Sequence, residues 1–429
     1  MGELSFIHLS DIHFVKNSNN PADIDSDLRN AIFLDIKNNA KRNLQNIKGV
    51  LVSGDIAFSG NEQEYLKAEE FLEKITSELN IQKSSIFCVP GNHDVDQRIP
   101  KGSKFVYNAQ NELDKAQNLD EADKLFQYYL EDPYYNEILF KTIEQYNEFA
   151  KKCSCAVGPN MINWNYEFEL DNDLVLDLYG MNSCFISNSD DHKVPNDYRK
   201  MYIGQAQIPS RKDNNICMGL CHHPPEYWKF QDKIDERINK RIDIQLYGHK
   251  HVQSMKLTDR NIILSSGAAH PVRGDDWNPR YNWITIECVL IDEERVVKVK
   301  IYSRILSKDR DGFIAEQNED NIYIEHYLNI DKKRRTDTFD KRYDKIPKSI
   351  HNYKVNNRNK NEIYDRIYEF YDLSYIDQTE ILLKLNLLDD TDRGAYNIQQ
   401  VIERAKNIDV LDKLWINIEK RYKEKNYAS

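Results

Sequence analysis

The stretch "HLSDIHF", residues 8–14, closes a short apolar run at the start of the chain and sets a carboxylate and an imidazole two residues apart. Six further runs end in the same way, in polar punctuation: "GVLVSGD", "SSIFCVPGN", "LVLDLYGMNS", "ICMGLCHH", "IDIQLYGHK" and "NIILSSGAA". Each is strand-sized, and several are apolar at nearly every position, as suits strands buried on both faces of a sheet. Helix-like segments separate the first three. "DLRNAIFLDIKNNAKRNL" is one; "NEQEYLKAEEFLEKITSEL" is another, with Leu66, Phe71, Leu72, Ile75 and Leu79 spaced for one face. Strands alternating with helices predict a layered α/β domain. After residue 255 the pattern turns to strands alone, "YNWITIECVLID" and "RVVKVKIYS", which predicts a mixed sheet with antiparallel strands at its end.

The chain has 429 residues, enough for one large domain and a smaller one. Charged residues make up 30% and hydrophobic ones 40%, ordinary values for a soluble globular protein. No apolar run approaches the roughly 18 residues of a membrane span, so no membrane association is expected. The N-terminal "MGELSFIHLSD" lacks the basic-then-apolar order of a signal peptide, and Phe6 breaks the myristoylation pattern. A cytoplasmic location is the expectation. The seven cysteines are scattered without a CxxC pair, which argues against a disulfide framework or a zinc ribbon.

The net charge of −11 is unevenly spread. Residues 331–429 carry 21 Lys and Arg against 18 Asp and Glu, leaving 38 against 52 in residues 1–330. Residues 101–155 read as a helical insertion, either a lid or a packed ornament. Residues 332–360 hold 11 Lys or Arg with few large aliphatics and read as a basic linker, with a phosphate-binding arm as the alternative. Helical period returns over 361–429, where about four short helices predict a small all-α bundle.

The partners of Asp11 and His13 stand at the other strand ends. "SGDIAFSG" (53–60) supplies Asp55, "VPGNHDV" (89–95) Asn92, His93 and Asp94, "LCHHPP" (220–225) His222 and His223, and "YGHKH" (247–251) His249 and His251. Any one of these is weak, since a turn or an exposed histidine explains it as well. Together they deliver ligands to one edge of a sheet, where strand ends converge. Two Asp, an Asn carbonyl and at least four His, with no thiolate, suit Mn, Fe, Co or Zn. Seven ligands exceed one tetrahedral site and fit two ions sharing a bridge. His8 reads as a packed strand histidine, and His270 and Asn182 as neighbours of the site.

The order DxH, GDxxxxG, GNHD, HHP and GHxH resembles the calcineurin-like metallophosphoesterase superfamily over residues 1 to about 305. The resemblance implies a four-layer αββα sandwich and two divalent ions, with Mn favoured. It implies one ion on Asp11, His13, Asp55 and His251, and the other on Asp55, Asn92, His222 and His249, with Asp55 as the bridge. His93 would protonate or hydrogen-bond the phosphoryl group, and Asp94 would orient His93. The 128 positions from Asp94 to His222 exceed the compact members' spacing, and the helical insertion accounts for much of the excess.

Within the tail, "AYNIQQVIERAKNIDVLDKLWINIEKR" resembles the effector-associated adaptor domains of bacterial conflict systems, which implies a protein partner. The resulting expectation is a hydrolase of phosphoesters. The first reading is a phosphodiesterase on nucleotides or nucleic acid, serving as a defence effector. A phosphomonoesterase of phosphoproteins or metabolites and a non-catalytic metal-binding scaffold are the alternatives.

Overall fold

The computed structural model describes residues 2–16, 24–171, 173–191, 193, 200–258, 260–271, 278–291, 294–309, 311–317, 321–329, 366, 369–370, 373, 375–388, 398–408 and 410–427. The chain divides into two compact units, 1–331 and 332–429.

The first unit holds two mixed sheets. Strands β1 (Leu4–Leu9), β2 (Ile47–Val52) and β3 (Ile86–Cys88) run parallel in one. In the other, β4 (Trp164–Asp171) lies antiparallel to β5 (Leu174–Gly180), which is followed in parallel by β6 (Asn215–Cys221) and β7 (Ile244–Tyr247). Strand β8 (Ser254–Leu257) pairs antiparallel with β9 (Ile262–Ser265), itself parallel to β7. The chain then returns to the first sheet through β10 (Arg280–Ile291), β11 (Glu294–Leu306), β12 (Phe313–Ala315) and β13 (Ile324–Asn329), all antiparallel. The resulting orders are β12-β11-β10-β1-β2-β3, with β13 also on β11, and β4-β5-β6-β7-β9-β8.

The continuous apolar runs become the central strands. Every residue of β1 and of β7 is buried, as a strand covered on both faces requires. The sheets meet face to face: Phe6 of β1 packs edge-on against Phe168 of β4 at 5.5 Å, and Phe87 lies 6.1 Å from Trp164. Each such aromatic pair adds about 0.5–1.5 kcal/mol beyond its area burial. With the helices that connect the strands, this is the α/β sandwich that the sequence predicts.

Helix Glu62–Leu79 starts on a capping box, in which Asn61 Oδ1 accepts from Gln63 N and Glu64 Oε2 accepts from Asn61 N, and it stops at left-handed Asn80. Its buried stripe includes Tyr65, Ala68, Leu72, Ile75 and Leu79, whereas Leu66 is exposed, against the predicted face. The helical insertion contains helices Lys104–Lys115, Leu119–Glu131 and Glu144–Lys151. The stretch "NELDKAQNLDEADKLFQYYL" is divided between two of these helices, the second starting after Asn118, whose side chain caps Glu121 N. Buried bonds anchor the insertion: Gln110 donates to the carbonyls of Phe185 and Ser187, and the Tyr146 hydroxyl to Cys88 O. All seven cysteines are buried and free. No described helix is long and apolar enough to cross a membrane.

In the second unit, helices Tyr375–Lys384, Ile398–Asn407 and Leu411–Tyr427 share a core that includes Phe370, Leu382, Leu387, Val401, Leu414 and Ile418. The predicted basic linker, 331–360, and most of 361–374 lie outside the described residues.

Candidate metal centre

Every motif of the constellation follows the C-terminal end of a parallel strand: Asp11 and His13 after β1, Asp55 after β2, Asn92 after β3, His222 after β6, and His249 and His251 after β7. Strand ends of both sheets therefore face one place, and the structure brings all seven expected ligands together. The described residues include four triads whose potential ligand atoms lie within 4.8 Å of one another: Asp11–His13–His251, Asp11–Asp55–His222, His13–Asp55–His93 and His222–His223–His249.

Asp55 is the hub. Its Oδ2 lies 3.2 Å from His13 Nε2 and 3.3 Å from His222 Nε2, while its Oδ1 accepts from the His93 backbone N–H at 2.8 Å. Asp11 Oδ1 lies 3.3 Å from His251 Nε2, and both Asp11 oxygens accept from His249 N. Asn92 Oδ1 meets His222 Nε2 at 3.1 Å and His249 Nδ1 at 2.9 Å.

The backbone here is strained in a patterned way. Asp11, His13, Asp55, His249 and His251 all hold positive φ, between 52° and 70°. Non-glycine residues in that region cost about 1–3 kcal/mol each and gather where function demands the geometry. Packing is equally tight. A Cβ on Gly91 would come 2.1 Å from Asp55 Oδ1, so only glycine lets the GNHD loop approach the hub.

The donor set fits divalent metal. His222 Nδ1 contacts the Ser53 carbonyl at 2.8 Å, and a carbonyl only accepts, so the ring's proton sits on Nδ1. That turns the Nε2 lone pair toward Asn92 Oδ1 and Asp55 Oδ2, two acceptors. A lone pair ringed by acceptor oxygens is a place for a cation. Two ligand atoms about 2.1 Å from a shared ion sit roughly 3.0–3.4 Å apart at ordinary coordination angles, close to the separations observed.

Electrostatics follow the same logic. Burial opposes charge on both aspartates, yet the imidazoles prevail: Asp11 is held below the usual carboxylate range by His251 and His222, and Asp55 well below it by His222, His93 and His13. Burial also opposes charge on His222, but Asp55 and Asp11 push its pKa up to about 9: the same acceptor oxygens that would face a metal cation draw a proton to Nε2 when no cation is bound. Burial and the charge of His222 push His249 down to about 3, keeping it neutral, the form a metal ligand requires.

One expected role needs correction. Asp94 makes no hydrogen bond to His93. It accepts instead from the backbone N–H groups of Ile56, Ala57 and Gly91 and from the Tyr65 hydroxyl. Its carboxylate thus clasps the 55–58 loop to the GNHD loop, and burial with the nearby Asp55 charge raises its pKa to about 6. The Phe58 carbonyl orients His93, accepting from Nδ1–H at 2.8 Å.

Neighbouring residues fall into place. His8 is wholly buried against Ser53 Oγ, a packed histidine as expected. His223 lies beside His222 and His249 and touches Ser183 Oγ at 2.8 Å. His270 bonds the Asp11 carbonyl through its backbone N–H. Asn182 follows β5 at the same sheet edge and caps Cys184 N. Sequence reasoning missed Tyr65, Phe58, Ser183 and Tyr227, whose ring stands edge-on 4.5 Å from His249. Only the position of Phe58 inside "SGDIAFSG" offered a signal.

Comparison with known proteins places the chain. A phosphoesterase predicted in Streptococcus pneumoniae is 13% identical, over 76% of this chain and 99% of its own, with a TM-score of 0.27. GAP50 of Plasmodium, an anchor in the inner membrane complex, is 12% identical over 77% and 90%, with a TM-score of 0.40. The 5′-nucleotidase of Candida albicans is 12% identical over 76% and 51%, with a TM-score of 0.33. No curated protein matches. Residues 364–420 match the GTPase-associated adaptor domain. Residues 4–253 match the calcineurin-like phosphoesterase family throughout the strand-end motifs, and the chain belongs to that family.

Proposed function

We propose that the chain is a two-metal phosphodiesterase acting on nucleotides or nucleic acid, carried to its place of action by the adaptor domain. The observation that carries this reading is the His222 lone pair, aimed at acceptor oxygens within a shell of two aspartates, an asparagine and four histidines. Asp11, His13, Asp55 and His251 would hold one divalent ion, and Asp55, Asn92, His222 and His249 the other. Ions so held supply Lewis acidity, acidifying water and neutralising phosphoryl charge.

The chain's own groups do the rest. Asp55 spans both halves of the site through one carboxylate oxygen. His93, with Nδ1–H spent on the Phe58 carbonyl, keeps Nε2 for a phosphoryl or leaving-group oxygen. Asp94 holds the two loops that position His93 and Asp55. The adaptor match supports recruitment by a protein partner, consistent with a bacterial defence effector.

The test combines metal content with turnover. The purified chain is expected to bind two equivalents of Mn(II) and to hydrolyse bis-p-nitrophenyl phosphate, with Asp55→Ala defective in both. A metal-loaded chain inert toward every phosphoester would leave the non-catalytic scaffold standing in its place.

A further inference from the structure

A large aromatic ring stands exposed at the catalytic histidine. Phe58, inside the GDxxxxG motif, is 50% exposed. Its ring packs at 5.2 Å against His93, tilted by 34°, and edge-on at 6.1 Å against His13. The backbone fixes it on both sides: Phe58 N donates to Phe14 O at 3.0 Å, and Phe58 O accepts from His93 Nδ1. A phenyl left half in water normally belongs to a loose tip, whereas this one is pinned beside two site histidines. It gives up hydrophobic burial without gaining mobility.

Among the described residues, the basic side chains flanking the site motifs are paired. Lys250, between the two histidines of "GHKH", is paired with Glu226, and Arg98, just past the GNHD loop, is paired with Asp96 at 2.7 Å. Residues 1–330 carry 38 basic against 52 acidic side chains. Such a surface does not track a long polyanion. The recognition element it presents is a flat apolar face next to the group that meets the ester oxygen.

We infer that Phe58 is the stacking platform for the base of a small nucleotide substrate. This rests on the proposed phosphodiesterase reading and narrows it from nucleic acid to nucleotides. A ribose places its base a few bonds from the phosphorus, so a phosphoryl group in the metal centre leaves the base near a ring that touches His93. Stacking tolerates every base, since each has a π-face.

The test uses the full-length, Mn(II)-loaded chain and measures affinity for AMP and for ribose 5-phosphate by titration calorimetry. Wild type is expected to bind AMP the tighter. Phe58→Ala and Phe58→Leu should each weaken AMP by roughly tenfold, the scale of one base–aromatic stack, while barely changing ribose 5-phosphate. Phe58→Tyr should retain AMP binding. Equal affinity of wild type for the two ligands, unchanged AMP binding in both truncating variants, or parallel loss of both ligands would each overturn the inference. A chain that binds AMP in this Phe58-dependent way but hydrolyses no diester would sustain it while removing the phosphodiesterase reading.

Discussion

The Tyr65 hydroxyl donates to Asp94 Oδ1 at 2.9 Å, tying helix Glu62–Leu79 to the loop that carries His93. Both residues are buried, and Asp94 also gathers three backbone N–H groups. Tyr65→Phe removes one hydrogen bond to a buried carboxyl at a cost of about 1–2 kcal/mol. Calorimetry of the metal-loaded protein should show a lower melting midpoint with metal content unchanged. An unchanged midpoint would mean that the clasp stands without the helix.

His8 gives a pH signature. Burial holds its pKa down to about 3, only partly offset by Asp11, against 6.5 for an exposed histidine. A lowered folded pKa means that the unfolded chain binds the extra proton between those values. The stability that His8 contributes is therefore present above pH 6.5 and is lost as the pH falls from 6.5 toward 3. His8→Gln should flatten that stretch of the stability–pH curve measured by urea unfolding. A curve of wild-type steepness would show that His8 stays neutral in neither state or both.

The proposed role of His93 separates metal binding from turnover. Its ring lies within ligand reach of His13 and Asp55, yet its Nδ1 is committed to the Phe58 carbonyl. His93→Ala should lower kcat by roughly 10²–10⁴-fold, the range for a positioned general acid, and leave bound metal at wild-type stoichiometry. Loss of metal would make His93 a ligand instead.

The two compact units predict separable roles. Deleting 361–429 should preserve metal content and hydrolysis of a small chromogenic diester while abolishing capture of a protein partner. Metal loss in the truncated chain would show that the first unit depends on the second.

The central strands and the cluster of carboxylates and imidazoles at their ends were legible in the sequence for one physical reason. Strands buried on both faces leave unbroken apolar runs, and side chains that gather at the sheet edge must follow them directly. Residues whose work is side chain to backbone left no such trace. Nothing in the spacing shows that Asp94 grips loop amides rather than His93, or that Phe58 orients the His93 ring through its carbonyl. Elements with small buried faces were equally silent. Helix Gln231–Arg241 buries only Ile234 and Ile238, and β8 buries no residue fully, so neither imposes a strong pattern. The Leu66 error has the same origin, because helical period alone does not say which of two adjacent stripes meets the sheet.

The most direct measurement is kcat/KM for bis-p-nitrophenyl phosphate against p-nitrophenyl phosphate, with Mn(II) present and Asp55→Ala as the blank. A clear preference for the diester, silent in the variant, is the predicted result. A preference for the monoester would contradict the phosphodiesterase account and make a phosphomonoesterase of the same metal centre.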